Sequence, residues 1–141
     1  HGKYYDFSNV QCRPQPIQKP HPPITIGGNG KACFKRVVDH ADGWQVVTTG
    51  PDDAFSSEGN LAQSMASLKQ MAEEAGRDSS TIETTAVVIT GTANGVLKDY
   101  EQYERLGVNR LILDFPSFLS DPKEMEDILI KIAEGLGMTG S

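Results

Sequence analysis

Between residues 22 and 30 the chain reads Pro22-Pro23-Ile24-Thr25-Ile26-Gly27-Gly28-Asn29-Gly30. The pattern predicts a short apolar strand, Ile24–Ile26, that ends in a glycine turn, and a helix-like run, Lys31–Ala41, follows at once. Glycines allow backbone N–H groups to approach a ligand closely, and the start of a helix adds unpaired N–H donors and the positive end of its dipole. The turn from Gly27 to Gly30 is therefore predicted to bind an anion, most often a phosphate.

Two sharper phosphate-binding motifs do not fit this turn. The dinucleotide fingerprint would need a third glycine where the chain has Cys33. A Walker A loop would need a glycine in the place of Thr25 and a Ser or Thr in the place of Ala32. The local sequence thus leaves two interpretations open, a general anion site and a plain tight connection between strand and helix.

From residue 24 onward, short apolar runs alternate with helical patterns. The predicted strands are Ile24–Ile26, Trp44–Thr48, Glu83–Thr90 and Arg110–Phe115, and the predicted helices are Lys31–Ala41, Asn60–Ala75, Gly95–Leu106 and Pro122–Leu136. Four successive strand–helix units predict an α/β fold with a parallel sheet and helices on its outer face. Such a sheet is either a small doubly wound sheet or half of an eight-stranded barrel, since a whole barrel typically needs about 250 residues.

Composition limits the possible partners. The chain has 141 residues, of which 38% are hydrophobic and 23% charged, as in an ordinary soluble globular domain. Its net charge of −6 and the absence of a basic cluster argue against nucleic acid and anionic membranes as partners. No apolar run approaches the ~20 residues of a membrane span. Cys12 and Cys33 lack metal-ligand spacing, so we expect two free thiols in a reducing, cytoplasmic compartment and no metal site.

The first residues of the chain differ in character from the rest. Residues 1–23 carry five prolines and are predicted to form an extended connector, while residues 24–141 form the folded domain. The sequence starts at His1 and reads there like the middle of a protein. We therefore expect a longer protein from which this chain is a part.

Four motifs together carry a resemblance. Residues 14–28, Pro14-Gln15-Pro16-Ile17-Gln18-Lys19-Pro20-His21-Pro22-Pro23-Ile24-Thr25-Ile26-Gly27-Gly28, resemble the central signature of the bacterial-luciferase-like monooxygenase family. They are most similar to its branch that uses the deazaflavin coenzyme F-420. Three further segments resemble motifs of that family and follow in the family's order. They are Asp42-Gly43-Trp44, Ala75-Gly76-Arg77-Asp78 and Leu106-Gly107-Val108-Asn109-Arg110-Leu111-Ile112-Leu113. The matches run from about Gly2 to Leu136 and correspond to the second half of a family member.

This resemblance implies a fold and an activity. It implies the C-terminal half of a (β/α)8 TIM barrel, in an oxidoreductase that acts on a small-molecule substrate as a monooxygenase, reductase or dehydrogenase. It implies FMN or coenzyme F-420 as cofactor, with the cofactor phosphate near two loops, which are Gly27, Gly28 and Asn29, and then Val47, Thr48 and Thr49. Much of the ring pocket in that family comes from four strands that this chain lacks. We therefore expect the chain alone to be inactive and to associate, either as a homo-oligomer or with a missing N-terminal half-barrel.

No residue stands out as a catalytic acid or base. Asp114 ends the last predicted strand, where barrel enzymes place functional groups, but a strand-end cap or a polar lining is favoured. His40 is predicted at a solvated helix end, His21 in an exposed connector, and Trp44 in the core rather than as a stacking platform. The alternative to an enzyme part is a non-catalytic α/β domain that binds a phosphorylated ligand or a protein partner. About 150 further residues of strand–helix pattern upstream would favour the enzyme.

Overall fold

Alternating strands and helices make up the chain from residue 25 onward. The computed structural model describes residues 1–11, 13–53, 59–116, 119 and 121–138, so Cys12 lies outside the described residues. The strands are β1 (Thr25–Gly27), β2 (Gly43–Thr48), β3 (Glu83–Ile89) and β4 (Arg110–Asp114), and the helices are α1 (Lys31–His40), α2 (Leu61–Glu74), α3 (Ala93–Leu106) and α4 (Pro122–Gly135). Every predicted element is present, and each end lies within two residues of its predicted place.

The four strands form one parallel sheet in the order β1-β2-β3-β4. Because each strand lies beside its predecessor in the chain, every crossover turns the same way and the helices stay on one face of the sheet. A doubly wound sheet would instead reverse its strand order at a switch point. The fold class is thus the predicted one, four consecutive parallel β/α units of the barrel type.

The core lies between the sheet and the helices. In β2, the side chains of Trp44, Val46 and Thr48 are buried, whereas Val47 between them is 49% exposed. The same alternation leaves Ile112 of β4 41% exposed. We call the sheet face away from the helices the open face, and it carries exposed apolar side chains.

Hydrogen bonds from polar side chains define where the helices begin. Asn60 and Gln63 form a reciprocal capping box at the start of α2. At α3 the hydroxyl of Thr92 accepts from Gly95 N at 3.3 Å, so this helix begins two residues before its predicted start. Asp121 caps α4, and Pro122 occupies its first turn.

The residues before β1 form neither helix nor strand in the described part, 1–11 and 13–24, and every side chain there is exposed. Three of them, Tyr4, Tyr5 and Ile17, are large apolar or aromatic groups that are 77% exposed or more. Among the described helices, none has the length and apolar character that crossing a membrane requires.

Candidate functional site

The turn after β1 depends on glycine at two positions. Gly28 has φ +124 and Gly30 has φ +90, values in the left-handed region that residues with a side chain rarely adopt. The N–H of Gly28 donates to the carbonyl of Gln45 at 3.2 Å, which ties the turn to β2. These two glycines are therefore explained by the backbone path itself.

Gly27 is different, because nothing in the fold requires a glycine there. Its φ is not positive, and a Cβ at this position would come no closer than 3.9 Å to its nearest neighbour, the carbonyl oxygen of Gln45. Gly27 is also exposed and ends β1. The absent side chain leaves free space at the carboxyl end of the strand, where ligands of parallel α/β sheets bind.

Helix α1 begins directly behind the turn without a side-chain cap. Gly30 occupies the N-cap position, where it has no side chain to offer, and the first turn contains no acidic residue. Lys31, the first helical residue, is exposed. An uncapped helix start with a cation in its first turn attracts anions through its N–H groups and its dipole.

The motif Asp42-Gly43-Trp44 stands at the start of β2 and connects this strand to its neighbours. One carboxylate oxygen of Asp42 accepts from Ile24 N at 2.7 Å, which holds the start of β1. Gly43 has no room for a side chain, since a Cβ would lie 2.9 Å from the carbonyl of Glu83. The indole N–H of Trp44 donates to the carbonyl of Gly28 at 2.7 Å. Trp44 is thus the member of the motif that contacts the turn, whereas Asp42 holds the start of β1 and Gly43 lets β2 lie close to β3.

The second predicted loop is arranged differently from the first. Thr48 is only 3% exposed, and its hydroxyl bonds with the backbone of Gly50, whose N–H lies 3.1 Å away. The hydroxyl of Thr49 donates to the carboxylate of Asp53. Val47 faces the open side of the sheet. Since β2 runs three residues past Gln45, the register partner of Gly27, Val47 and Thr48 stand beyond the end of β1 and near the turn.

The remaining candidates have ordinary surroundings. Asp114 is exposed at the end of β4, and His21 and His40 are exposed as well. Trp44 is fully buried and meets the Phe34 ring edge to face, which confirms its predicted packing role. Cys33 is a buried free thiol, and burial raises its pKa although nearby Arg36 opposes the effect. In the described part of the chain, no group of three or more His, Cys, Asp or Glu could hold a metal ion.

The sequence analysis missed two hydrogen bonds, that of Trp44 to the turn and that of Asp42 to the start of β1. For Trp44 a signal existed, since a buried indole N–H nearly always finds an acceptor. The Asp42 carboxylate caps a strand start 18 residues earlier in the chain, and such a long-range partner leaves no local signature.

The comparisons with known proteins now add to this geometry. The family described as luciferase-like monooxygenase matches residues 1–103. No curated protein matches the sequence. One similar solved structure is the coenzyme F-420 dependent tetrahydromethanopterin reductase from Methanopyrus kandleri, at 15% identity and TM-score 0.65 over 93% of this chain. Another is an F-420-dependent secondary alcohol dehydrogenase in complex with an F-420–acetone adduct, at 14% identity and TM-score 0.67 over 96% of this chain.

This chain spans 55% of the length of each of these two structures. Its four parallel units therefore correspond to about half of the TIM barrel of luciferase-like enzymes, as the sequence analysis predicts. The family match covers nearly three quarters of the chain, from the exposed first residues to Tyr103 in the last turn of α3. The chain belongs to the luciferase-like monooxygenase family.

Proposed function

We propose that this chain forms the phosphate-binding half of a flavin- or coenzyme F-420-dependent oxidoreductase, with Gly27–Gly30 and the start of α1 as the phosphate site. The observation that carries the proposal is the uncapped N-terminus of α1, which stands directly behind a turn containing two left-handed glycines. A phosphate there would accept hydrogen bonds from backbone N–H groups, and the helix dipole would stabilise its charge.

Each residue of the turn has a separate task in this proposal. Gly28 and Gly30 give the backbone its path, and Gly27 leaves space for the ligand beside the strand end. Lys31 adds a positive charge at the helix start without covering it, since its side chain is exposed. The cofactor itself, when bound, supplies the hydride or electron chemistry of its ring, and these residues bind and orient it.

We assign the phosphate to the first loop rather than to the threonines of the second. An anion beside Thr49 would have to replace the Thr49–Asp53 hydrogen bond and would then meet the Asp53 carboxylate. The Thr48 hydroxyl already bonds within its own loop. In this assignment the second loop bounds the site with its backbone and with the Val47 side chain, which lies on the open face.

FMN and coenzyme F-420 both fit the proposal, because each carries a phosphate on the side chain of its ring. The solved structures named above use F-420, and at 14% and 15% identity their likeness is one of fold. In this proposal the turn binds the phosphate that the two cofactors share, so it favours neither of them. Binding of both should therefore be measured.

The test uses Gly27→Val in the intact protein. Valine fits a strand end and has room here, so the fold and its thermal midpoint should be kept, while the added side chain fills the ligand space. We expect the Kd for FMN or coenzyme F-420, whichever the wild type binds, to rise about tenfold or more, as loss of ~1.4 kcal/mol would produce. Fluorescence titration of the cofactor measures this.

Thr25→Val is the matched control. It places the same side chain on β1, two residues earlier and on the same face of the strand. It should leave cofactor binding unchanged. If Gly27→Val binds both cofactors as tightly as the wild type, the phosphate site does not lie at this turn.

A further inference from the structure

We propose that a cavity between α2 and α3 binds a small carboxylate with an apolar body. The cavity has a volume of about 310 Å³, at the lower end of the range for small-molecule sites, and it opens to the surface. It lies on the helix side of the sheet, whereas the proposed cofactor site lies at the glycine turn after β1. A ligand in this cavity is therefore separate from the cofactor, and its binding does not depend on the proposed function.

The cavity is a gap in the layer of helices. Helix α1 packs on α2, and α3 packs on α4, whereas the space between the two middle helices is incompletely filled. Because α2 and α3 lie inside the row of four helices, a second half-barrel that pairs with β1 or β4, or that covers the open face, would leave this gap as it is. The cavity therefore belongs to this chain and is not a product of a missing partner.

The floor of the cavity is apolar. Leu68 of α2 and Ile82, which directly precedes β3, line it and are buried members of the main core. Leu106, the last residue of α3, also lines it and packs against the same core. Core packing thus fixes these side chains, and an apolar group that enters the cavity displaces water from their surface, which favours binding.

One buried hydroxyl at this floor lacks a partner. Thr84 lines the cavity, is 5% exposed, and lies on the helix side of β3 with Ala86 and Val88. Its backbone is held in place, because its N–H donates to Asn109 Oδ1 at 2.8 Å and its carbonyl accepts from Asn109 N at 2.9 Å. The Thr84 hydroxyl forms no hydrogen bond with the described residues. Since buried hydroxyls in proteins are nearly always hydrogen-bonded, this one indicates an occupant of the cavity.

Two cations stand at the rim of the cavity. Lys69 of α2 and Arg105 of α3 are exposed, and the described residues that line the cavity include no acid, although the chain has a net charge of −6. Lys69 forms a surface pair with Glu73 at 3.9 Å, which contributes little. Arg105 donates through Nε to the carbonyl of Glu101, and that bond leaves its charge without a carboxylate. The rim therefore favours an anion above the apolar floor.

These three features define the chemistry of the ligand. The floor accepts an apolar body, the Thr84 hydroxyl offers one hydrogen bond, and the rim favours a negative charge. The volume corresponds to about ten water-sized groups, which limits the ligand to a small molecule. The probe 3-phenylpropanoate has this size and chemistry. The matching alcohol and the matching ammonium compound keep the apolar body and change the head group.

The experiment titrates the intact protein with each probe and follows the backbone amides by NMR. We expect 3-phenylpropanoate to bind with a Kd of about 1 mM, a modest affinity suited to a ligand of this size, and to shift the amides of residues 62–69, 79–84 and 105–107. The alcohol should bind more weakly, and the ammonium compound most weakly. If the carboxylate does not bind, or shifts amides elsewhere, the cavity holds only water and the proposal fails.

The charge of the rim is tested by the double variant Lys69→Gln, Arg105→Gln. The Kd of the alcohol divided by the Kd of the carboxylate should fall about three- to tenfold, because only the carboxylate loses a charge partner. The control Lys35→Gln, Lys123→Gln makes the same change in net charge on α1 and α4, outside the cavity, and should keep the wild-type ratio. An equal fall in both double variants overturns the role of the rim.

The location is tested by Ala66→Leu, which fills the cavity from α2 and should weaken binding of the carboxylate and of the alcohol about tenfold or more. Ala32→Leu makes the same change at an exposed position of α1 and should leave both Kd values as they are. Thr84→Val keeps the shape of the side chain, and the Kd of the carboxylate should rise about threefold or more through loss of one hydrogen bond. Wild-type affinity in Ala66→Leu and Thr84→Val overturns the proposal.

Discussion

At the scale of single residues, Tyr103 is in an unusual environment. It is 2% exposed, and its hydroxyl has no hydrogen-bond partner among the described residues. Burial, together with the charges of Asp99 and Asp53, raises the pKa of this phenol from 10.0 to about 12. A buried hydroxyl without a partner loses its bonds to water and gains nothing in return, so it lowers stability.

Tyr103→Phe should therefore stabilise the protein, by about 1 kcal/mol, because it removes the unsatisfied hydroxyl and keeps the ring. The variant should also change the response to alkali. Between pH 10 and about 12, the unfolded wild type loses the Tyr103 proton and the folded state keeps it, so wild-type stability falls as the pH rises. The part of this fall that Tyr103 causes should be absent from the variant.

Urea unfolding of both proteins, from about pH 8 to about pH 12, measures these effects. The difference in unfolding free energy should widen with pH above the ordinary tyrosine pKa and stay constant below it. A variant less stable than the wild type at neutral pH would mean that the hydroxyl has a partner in solution.

At the scale of secondary-structure elements, Arg77 links the end of α1 to the segment after α2. Its guanidinium donates to three carbonyls at or just after the end of α1, to Val37 O at 3.0 Å, Val38 O at 2.9 Å and Ala41 O at 2.7 Å. The last carbonyls of a helix have no partner within the helix, and a cation there also suits the dipole. This contact gives the Gly76-Arg77-Asp78 motif a structural explanation.

Arg77→Lys should destabilise the protein by about 1–3 kcal/mol, because an ammonium group cannot reach three carbonyls in the way a planar fork does. Thermal or urea unfolding measures the loss. Arg105→Lys is the control, since Arg105 is exposed and its Nε donates to Glu101 O within the same helix. The control should change stability by less than about 0.5 kcal/mol. Equal effects of the two substitutions would refute the capping role.

The elements were predictable because their boundaries have local causes. Glycine after α3 and the Asp121-Pro122 pair before α4 mark helix ends in the sequence itself. The early start of α3 was missed because the apolar spacing begins at Val96, whereas the cap is Thr92. A hydroxyl that caps a helix lies outside the apolar pattern, so periodicity alone places the start too late.

The candidate site was only half predictable. The glycine turn is a local feature, and the sequence located it. Thr48 was expected near the cofactor phosphate, yet its side chain shares its side of the strand with Trp44 and Val46 and is buried beneath the helices. Strand alternation from the buried Trp44 could have shown this. The Thr49–Asp53 bond depends on the path of a loop, which no periodicity describes.

At the scale of the whole molecule, the open face has the character of a barrel interior. Val47, Val87 and Ile112 form one register row across β2, β3 and β4. In a TIM barrel, branched side chains that point inward from alternate strands pack together in layers and fill the interior. Toward the start of the strands the face becomes polar, with an ion pair between Arg110 and Glu83 at 2.8 Å. Within the described residues nothing packs on this row, since Val47 and Ile112 remain 49% and 41% exposed.

We therefore predict that the isolated 141-residue chain associates at micromolar concentration, either with a second copy or with an N-terminal half-barrel when one is supplied. The two outer strands, β1 and β4, present unpaired N–H and C=O groups, which favour pairing with another chain in addition to the exposed apolar row.

Ile112→Lys should weaken association, because it places a charge in this apolar row of the open face. Ile130→Lys makes the same change at a 47% exposed position of α4, far from the open face in the fold, and should leave association as it is. Light scattering over a concentration series measures the association of the wild type and of both variants. If the wild type is a monodisperse monomer, or if Ile112→Lys and Ile130→Lys change association equally, the open face does not drive assembly. The sheet would then be stable with the side chains of Val47, Val87 and Ile112 exposed to water.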